Sequence, residues 1–365
     1  FNVVRIEPYF NNEVQQVLNE LVENKELTKF LDTFLSVTNS KFLSLPGSTF
    51  LAKQIFKSKI KDIHTIEDFQ DQIALLLDSV IDKTISKFTY SGLDFLNPDE
   101  GYLFIGNHRD ITLDSALCNY ALRSVGLPTT YNAIGDNLVS INWMGDLLRL
   151  NKSFVITRSG NNKKQIYLNL LKASNFIRKK IKTNNLIWIA QQQGRSKDGS
   201  DITDPTVLKM IHMSMRKEIK FDNLTSEINI VPCSISYQYD PLIKEKATKA
   251  IKGNEKESHE DVEHIFKGIM QNKGNVHLEF CKPLRGSYSP ENLAREIDIS
   301  IKSAYKIWDT NEYAHKFLTN DSDLDNVSLS KAKKYFDNFL SEMTNEEVEY
   351  IMKSYANPYK KKLNE

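Results

Sequence analysis

Residues 101–114 of the chain read GYLFIGNHRDITLD, an apolar run followed at once by a polar run. The apolar part is typical of a buried strand, and the polar part begins where that strand would end. A strand end followed by a tight turn would explain these residues without any chemistry. The alternative is a site at the strand exit, in which His108 is a base, Asp114 or Asp110 orients it, and Arg109 binds an anion.

Short apolar runs alternate with helical stretches from residue 100 onward, and this alternation predicts the fold class. Further runs of this kind are SFVITR, NLIWIA, INIVPCSISY and NVHLEF. We expect an α/β protein with a mixed, largely buried β-sheet flanked by helices, preceded by an N-terminal helical region. Pro232 predicts that its strand is an edge strand or carries a bulge near a site. Asp204 followed by Pro205 predicts the start of a helix.

Three regions are predicted along the chain: a helical region over 1–95, an α/β domain over 96–310 and a helical tail over 311–365. The first region has apolar residues at the three- and four-residue spacing of helices. Within it, residues 44–63 (SLPGSTFLAKQIFKSKIKDI) form a Lys-rich amphipathic stretch. Such a helix either rests on an anionic membrane surface or is an ordinary surface helix. In the tail, Pro358 and the final KKK segment suggest disorder.

The composition is that of a folded soluble protein. Because 48 Lys and Arg residues face 47 Asp and Glu residues, the net charge of +1 gives no overall field that favours nucleic acid. No window approaches the roughly 18 to 20 apolar residues needed to cross a bilayer. Cys118, Cys233 and Cys281 have no paired spacing, and we expect buried free thiols in a reducing, cytoplasmic compartment.

Polar residues follow two further apolar runs. Arg158 ends the run SFVITR, and a Gly-bracketed turn follows NLIWIA. The candidate residues of that turn are Gln193, Gly194, Arg195, Ser196 and Lys197. If the strand ends converge, a His beside a carboxylate takes a proton from an alcohol, while Arg and Lys side chains near glycines hold a phosphate. Together these residues predict group transfer onto a hydroxyl of a phosphate-bearing acceptor.

Other reaction classes are disfavoured by their missing motifs. In HEDVEH, His259 and His264 are five residues apart, whereas the zinc-protease helix needs a spacing of four, so a solvated acidic helix is the simpler interpretation. No Gly-x-Ser-x-Gly elbow is present, which disfavours a serine-nucleophile lipase. We expect no metal and no cofactor.

The ordered segments NHRDITLD, SFVITRSG, QQGRSKDG and IVPCSISY resemble the four blocks of the glycerolipid acyltransferases, the glycerol-3-phosphate and 1-acylglycerol-3-phosphate acyltransferase superfamily. The wider pattern over residues 85–285 is similar to a bacterial branch with a helical N-terminal extension. The resemblance implies that His108 is the general base, that Asp114 orients it, and that Arg158 and Arg195 bind the acceptor phosphate. Lys197 is added to these ligands because of its charge and proximity.

Two departures from the family pattern concern the site. Five residues separate His108 from Asp114, whereas the family has four, so either the turn bulges by one residue or Asp110 takes over part of the role. In the third block Gln193 stands where the family has Glu before Gly, which keeps hydrogen-bonding capacity but loses a charge. Gly194, Ser196 and Arg109 complete the candidate phosphate-binding set.

The resemblance implies a peripheral membrane enzyme that uses an acyl thioester, acyl-CoA or acyl carrier protein, as donor. The acceptor would be a hydroxyl of glycerol 3-phosphate or its 1-acyl derivative, which attacks the thioester directly without a covalent acyl-enzyme or a metal. A membrane surface is an expected partner and nucleic acid is not. Two alternatives stay open: another lysophospholipid or an amine-bearing lipid as acceptor, or a non-catalytic lipid-binding relative of the enzyme.

Overall fold

The structure is a computed structural model that describes residues 5–29, 48–160, 162–253 and 260–363. The chain divides into two compact units, one formed by residues 1–77 and 131–176 and the other by residues 78–130 and 177–365. The predicted boundaries at residues 95 and 310 stay predictions, because compactness alone does not identify independently folding regions.

The helices and strands alternate along most of the chain. In chain order the helices are α1 (Val14–Glu23), α2 (Ser48–Lys59), α3 (Ile66–Thr84), α4 (Leu113–Ser124), α5 (Asn142–Leu150), α6 (Lys163–Lys182), α7 (Pro205–His212), α8 (Leu224–Glu227), α9 (Ile243–Lys252), α10 (Glu260–Met270), α11 (Pro290–Ala304), α12 (Asp309–Thr319), α13 (Ser330–Leu340) and α14 (Asn345–Leu363). The strands are β1 (Ile85–Ser91), β2 (Tyr102–Gly106), β3 (Tyr131–Gly135), β4 (Ser153–Ile156), β5 (Leu186–Ala190), β6 (Asn229–Tyr237) and β7 (Gly274–Phe280).

The first unit contains a parallel pair of strands and the N-terminal helices. β3 pairs with β4, with Ile134 opposite Val155. The N-terminal segment extends this pair, since the backbone N–H of Val155 donates to the carbonyl of Ile6 at 2.9 Å. Helix α1 buries one apolar face, which consists of Val14, Val17, Leu18, Leu21 and Val22. Helices α1, α2 and α3 confirm the predicted helical character of the N-terminal region, but residues 85–91, which were included in it, form strand β1.

The second unit is built on a mixed sheet with the strand order β1-β7-β6-β2-β5. β6 and β7 are antiparallel, and the other neighbouring strands of this unit are parallel. All five residues of β2 are buried, as expected for a strand with neighbours on both edges and cover on both faces. The predicted fold class, an α/β protein with a mixed, largely buried sheet flanked by helices, is confirmed.

Pro232 lies inside β6, between β2 and β7, so the prediction of an edge strand or a bulge is wrong. The register with β2 continues unbroken through the pair Ile105 and Pro232. The carbonyl of Pro232 accepts the N–H of Cys281, one residue beyond the end of β7 at Phe280. Since the N–H and C=O of one residue point the same way in a strand, the missing N–H of Pro232 affects only the last position of that ladder.

The C-terminal region is a packed helical cluster, so the prediction of disorder around Pro358 is wrong. Pro358 lies inside α14, which continues to Leu363. Four helices of this region bury apolar side chains against one another: Ile243 and Ala247 of α9, Tyr313 and Ala314 of α12, Phe336 and Phe339 of α13, and Ile351, Met352, Tyr355 and Ala356 of α14. Burial of this apolar surface stabilises the last helix despite the proline.

Two local predictions are confirmed. Helix α7 begins as predicted, because the Asp204 side chain accepts the N–H of Thr206 and Pro205 occupies the first turn. The three cysteines are free thiols, with Cys118 and Cys233 buried and Cys281 partly buried.

Candidate active site

The first and third sequence blocks meet because β2 and β5 are parallel neighbours in the second unit. Gly106 at the end of β2 is opposite Ala190 at the end of β5. Beyond the strands, the N–H of Gln191 donates to the carbonyl of Gly106 at 2.9 Å, and the N–H of Ser196 donates to the carbonyl of His108 at 2.6 Å. The polar runs that follow the two strands therefore lie side by side at one edge of the sheet.

Asn107 attaches the first block to β6. Its side-chain amide donates to the carbonyl of Ile235 at 2.9 Å and accepts the N–H of the same residue at 2.8 Å. The side chain thus continues the pairing of β2 with β6 one residue past the end of β2. His108 therefore follows a strand end whose direction is fixed by β5 on one side and β6 on the other.

His108 and Asp114 form a hydrogen-bonded dyad. The Nδ1 atom of His108 lies 2.8 Å from Oδ2 of Asp114, which also accepts the backbone N–H groups of Arg109 (2.6 Å) and Asp110 (3.0 Å). The other oxygen, Oδ1, accepts the hydroxyl of Tyr237 at 2.7 Å. Because Oδ2 already accepts two backbone N–H groups, it acts as an acceptor toward the ring, so neutral His108 carries its proton on Nδ1 and its lone pair on Nε2.

Asp110 does not share the position of Asp114 beside His108. Its contacts show which of the two carboxylates is the partner of His108 despite the extra residue in the first block. Its Oδ1 accepts the N–H groups of Thr112 and Leu113 at the start of α4, which is a helix-capping role. Burial raises the pKa of Asp110, and the nearby Asp114 raises it further. Oδ2 faces the backbone of Gly268, where an added Cβ would lie 2.4 Å away. The geometry therefore pairs His108 with Asp114, not with Asp110.

Arg109, a predicted phosphate ligand, is buried and already paired. Its guanidinium donates to Asp201 at 2.5 Å and to Asp240 at 3.0 Å. Lys246 joins the group by donating to the carbonyl of Arg109 at 2.9 Å and to Asp240. Burial opposes the charge on Arg109, yet its two carboxylate partners hold its pKa well above the usual value. This arrangement favours a role in fixing the turn beside His108 over contact with a substrate.

The third block forms an exposed loop with one partly buried cation. Gln193, Gly194 and Lys197 are exposed, whereas Ser196 is buried. Arg195 is half-buried, and its guanidinium lies 3.1 Å from Nδ1 of His264 on α10. Its second terminal nitrogen is buried without a hydrogen-bond partner among the described residues. Arg195 and Lys197 thus provide positive charge beside the first block.

Arg158 belongs to the first unit, where it follows β4. The next residue, Ser159, is held by Asp136, whose carboxylate accepts its N–H at 3.0 Å and its hydroxyl at 2.5 Å. Asp136 therefore anchors the second block within this unit. The assignment of Arg158 to the acceptor phosphate stays a prediction.

Several residues of the site were missed in the sequence. Tyr237 ends a quoted block, IVPCSISY, but its hydroxyl gave no sign of reaching Asp114. The other missed residues are far in sequence from their partners. Asp240 and Lys246 are 131 and 137 residues from Arg109, and His264 is 69 residues from Arg195. His264 is buried rather than on a solvated face, so that interpretation of its helix is wrong at this position; His259 lies outside the described residues.

The arrangement suits proton abstraction next to an anionic group. The free Nε2 of His108 is available as a base, while Asp114 stabilises the imidazolium that forms. The indole of Trp188 packs edge-on at 5.7 Å from the His108 ring and supplies an apolar wall. Burial lowers the pKa of Lys246, Asp240 opposes this change, and the charge of Arg195 adds to it, so Lys246 and Arg195 are close enough for their charges to interact.

Similarity to known proteins was found in sequence for part of the chain and in structure at a low level. Residues 87–236 match the family model for acyltransferases. Among solved structures, the chain is similar to the 1-acyl-sn-glycerophosphate acyltransferase PlsC from Thermotoga maritima, with 13% sequence identity and a TM-score of 0.39. That match covers 80% of this chain and 95% of that chain. No curated protein sequence matches this one. The matched residues include His108, Asp114 and Arg195.

Proposed function

We propose that this chain, whose residues 87–236 match the family model for acyltransferases, transfers a fatty acyl group to a hydroxyl of 1-acylglycerol 3-phosphate or glycerol 3-phosphate. The observation that carries the proposal is the His108–Asp114 dyad with the Arg195 loop hydrogen-bonded beside it. A base and a phosphate-binding cation side by side match an acceptor that carries both a hydroxyl and a phosphate.

The proposed reaction is a direct acyl transfer. Nε2 of His108 takes the proton of the acceptor hydroxyl as its oxygen attacks the thioester carbonyl carbon. The tetrahedral intermediate then expels the thiolate of the donor, which takes the proton back from the imidazolium and leaves as a thiol. One C–O bond forms and one C–S bond breaks, and His108 ends in its starting state. Asp114 holds the Nδ1 proton throughout and so keeps the ring in the required tautomer.

The acceptor phosphate is assigned to the third block. Arg195 presents a guanidinium that makes bidentate hydrogen bonds to phosphate oxygens, and Lys197 adds a mobile charge on the exposed side of the loop. Arg158 is retained as a further ligand of this phosphate. Arg109 is assigned to the support of the turn, because its guanidinium is occupied by two buried carboxylates.

A membrane surface is the proposed source of a lipid acceptor. On α2, Lys57 and Lys59 are exposed, and Lys53 pairs with Glu23 at 2.6 Å. Exposed lysines on an amphipathic helix favour attraction to anionic lipids. The side chains of Phe50 and Leu51 lie outside the described residues. Among the residues that the structure describes, no helix is long and apolar enough to cross a membrane.

The proposal is tested by acyl transfer with the purified chain and its His108→Ala variant. Both are incubated with mixed acyl-CoA and acyl carrier protein thioesters and with either phosphate acceptor, and lipid products are identified by mass spectrometry. Loss of the general base is expected to lower kcat by about 10²- to 10⁴-fold. His212→Gln is a matched control, because the His212 ring is hydrogen-bonded to the carbonyl of Ile219 and packs edge-on against Phe221.

Two results would contradict the proposal. A His108→Ala variant that retains parental kcat while His212→Gln behaves normally would exclude the base assignment. A parent chain that acylates other lysophospholipids or amine-bearing lipids but neither glycerophosphate would exclude the proposed acceptor and leave the base assignment to be measured on the true one.

A further inference from the structure

The last helix of the chain holds the loop that carries Arg195. The hydroxyl of Tyr350 donates to the carbonyl of Lys197, and the side-chain amide of Asn357 donates to the carbonyl of Asp198 at 2.7 Å. Positions 350, 354 and 357 lie on one face of a helix, since they are separated by four and three residues. This face of α14 therefore meets the consecutive loop residues 197–199.

Pro358 gives the same face a free carbonyl. A proline inside a helix has no N–H, so the carbonyl four residues earlier, that of Ser354, loses its helical donor. This carbonyl points at Gly199, where an added Cβ would lie 2.1 Å from the oxygen. Gly199 has a φ of +72°, which a side chain would strain even without the contact. Pro358 thus leaves the Ser354 carbonyl without its helical donor, and the absence of a side chain at Gly199 lets the loop backbone approach that carbonyl closely.

The opposite side of α14 is anchored in the C-terminal core. Ile351, Met352 and Ala356 are fully buried there. Tyr355 connects this core to the first block, because its hydroxyl accepts the N–H of Asp240 at 2.7 Å and Asp240 binds Arg109. One rigid helix therefore contacts both the support of the catalytic turn and the exposed loop.

We propose that α14 is the positioning element of the acceptor site: Tyr350, Asn357 and the carbonyl of Ser354 hold residues 197–199 so that Arg195 and Lys197 stay aimed at the acceptor phosphate. The inference rests on the proposed function. The loop needs such support because it is exposed and contains left-handed residues at Gly194, Gly199 and Asp201. Without the contacts, Arg195 and Lys197 sample more conformations, and phosphate binding costs more conformational entropy.

The test is the double variant Tyr350→Phe/Asn357→Ala, which removes two hydrogen bonds to the loop and no charge. We expect KM for the phosphate acceptor to rise about tenfold, as for two lost hydrogen bonds of ordinary strength. We expect kcat and KM for the thioester to change by less than about twofold, because His108 and Asp114 are held by other contacts. The control is Lys353→Ala on the same helix, whose exposed ion pair with Glu349 faces solvent.

A second readout does not depend on activity. In hydrogen exchange of the substrate-free protein, the double variant is expected to exchange faster over residues 193–200, while residues 104–114 keep the parental rate. This measurement separates the inference from the proposed function: if the parent acylates neither glycerophosphate, faster exchange confined to the loop still supports the positioning role.

Three results would overturn the inference. The first is loop exchange and acceptor KM that equal those of the parent. The second is a loss of kcat with unchanged acceptor KM, because the helix would then act on the dyad. The third is faster exchange across the whole second unit with a lower Tm, because the contacts would then stabilise the fold without selecting the loop conformation.

Discussion

The two polar blocks at the sheet edge are supported in opposite ways. In the first block, Asn107 and Asp114 are buried; Asn107 pairs with the backbone of Ile235 in β6, and Asp114 accepts the hydroxyl of Tyr237 at the end of β6. In the third block, Gly194 and Lys197 are exposed, and much of the support comes from backbone carbonyls contacted by α14. The first block is part of the core, whereas the third block is a surface loop fastened at a few points.

This difference matches the two tasks of the proposed reaction. Proton transfer depends on a hydrogen-bond geometry that tolerates little movement, so a buried turn held by many hydrogen bonds suits the base. Phosphate binding needs positive charge that a substrate can reach, and so it belongs on an exposed loop. Changes in the first block are therefore expected to appear in kcat, and changes in the third block in acceptor KM.

The largest effect is expected from Asp114→Asn. An amide in this place no longer fixes the Nδ1 proton or stabilises the imidazolium, so kcat should fall about 10³-fold or more. The measurement is steady-state acyl transfer, accompanied by thermal unfolding. Asp110→Asn separates the two carboxylates: because Asp110 caps α4 and does not contact His108, we expect it to lower Tm more than kcat. Equal losses of kcat in both variants would contradict the pairing of His108 with Asp114.

The next effect in size concerns Arg195. Arg195→Ala removes a charge-assisted contact to phosphate, and we expect acceptor KM to rise about 10- to 100-fold with a small change in kcat. Arg195→Lys should recover only part of this loss, because an ammonium cannot form the bidentate contact. Arg178→Ala is the control, since the half-buried Arg178 on α6 is paired with the exposed Glu218. A kcat defect with normal KM would place Arg195 with the first block and remove the distinction between the blocks.

The sequence predicted those features of the fold and the candidate site that depend on residues close to one another along the chain. The run YLFIG, followed by polar residues, predicted the buried strand and placed the candidate site at its end, and Asp204 with Pro205 predicted the start of α7. The family resemblance supplied the pairing of His108 with Asp114, which the geometry supports over Asp110 despite the extra residue.

The parts that depend on distant residues were not predictable in this way. Pro232 indicated an edge strand, because the sequence does not reveal that its missing N–H falls at the end of the β7 ladder. Pro358 indicated disorder, because the sequence does not reveal that its helix is buried against three others. In each case a local preference was outweighed by tertiary packing that only the folded chain specifies.

The smallest effect tests the fastening of the third block through its two left-handed glycines. Gly194 and Gly199 have φ values of +76° and +72°, so alanine at either position should cost about 1 kcal/mol of unfolding free energy. Only Gly199→Ala also meets a backbone atom, the carbonyl of Ser354, whereas the Cβ at position 194 enters open space. We therefore expect Gly199→Ala to lose about 1 to 2 kcal/mol more unfolding free energy than Gly194→Ala, as measured by denaturant unfolding. Equal losses of unfolding free energy would mean that the loop can move away from α14 at little cost. The third block would then be a surface loop that α14 does not hold in place.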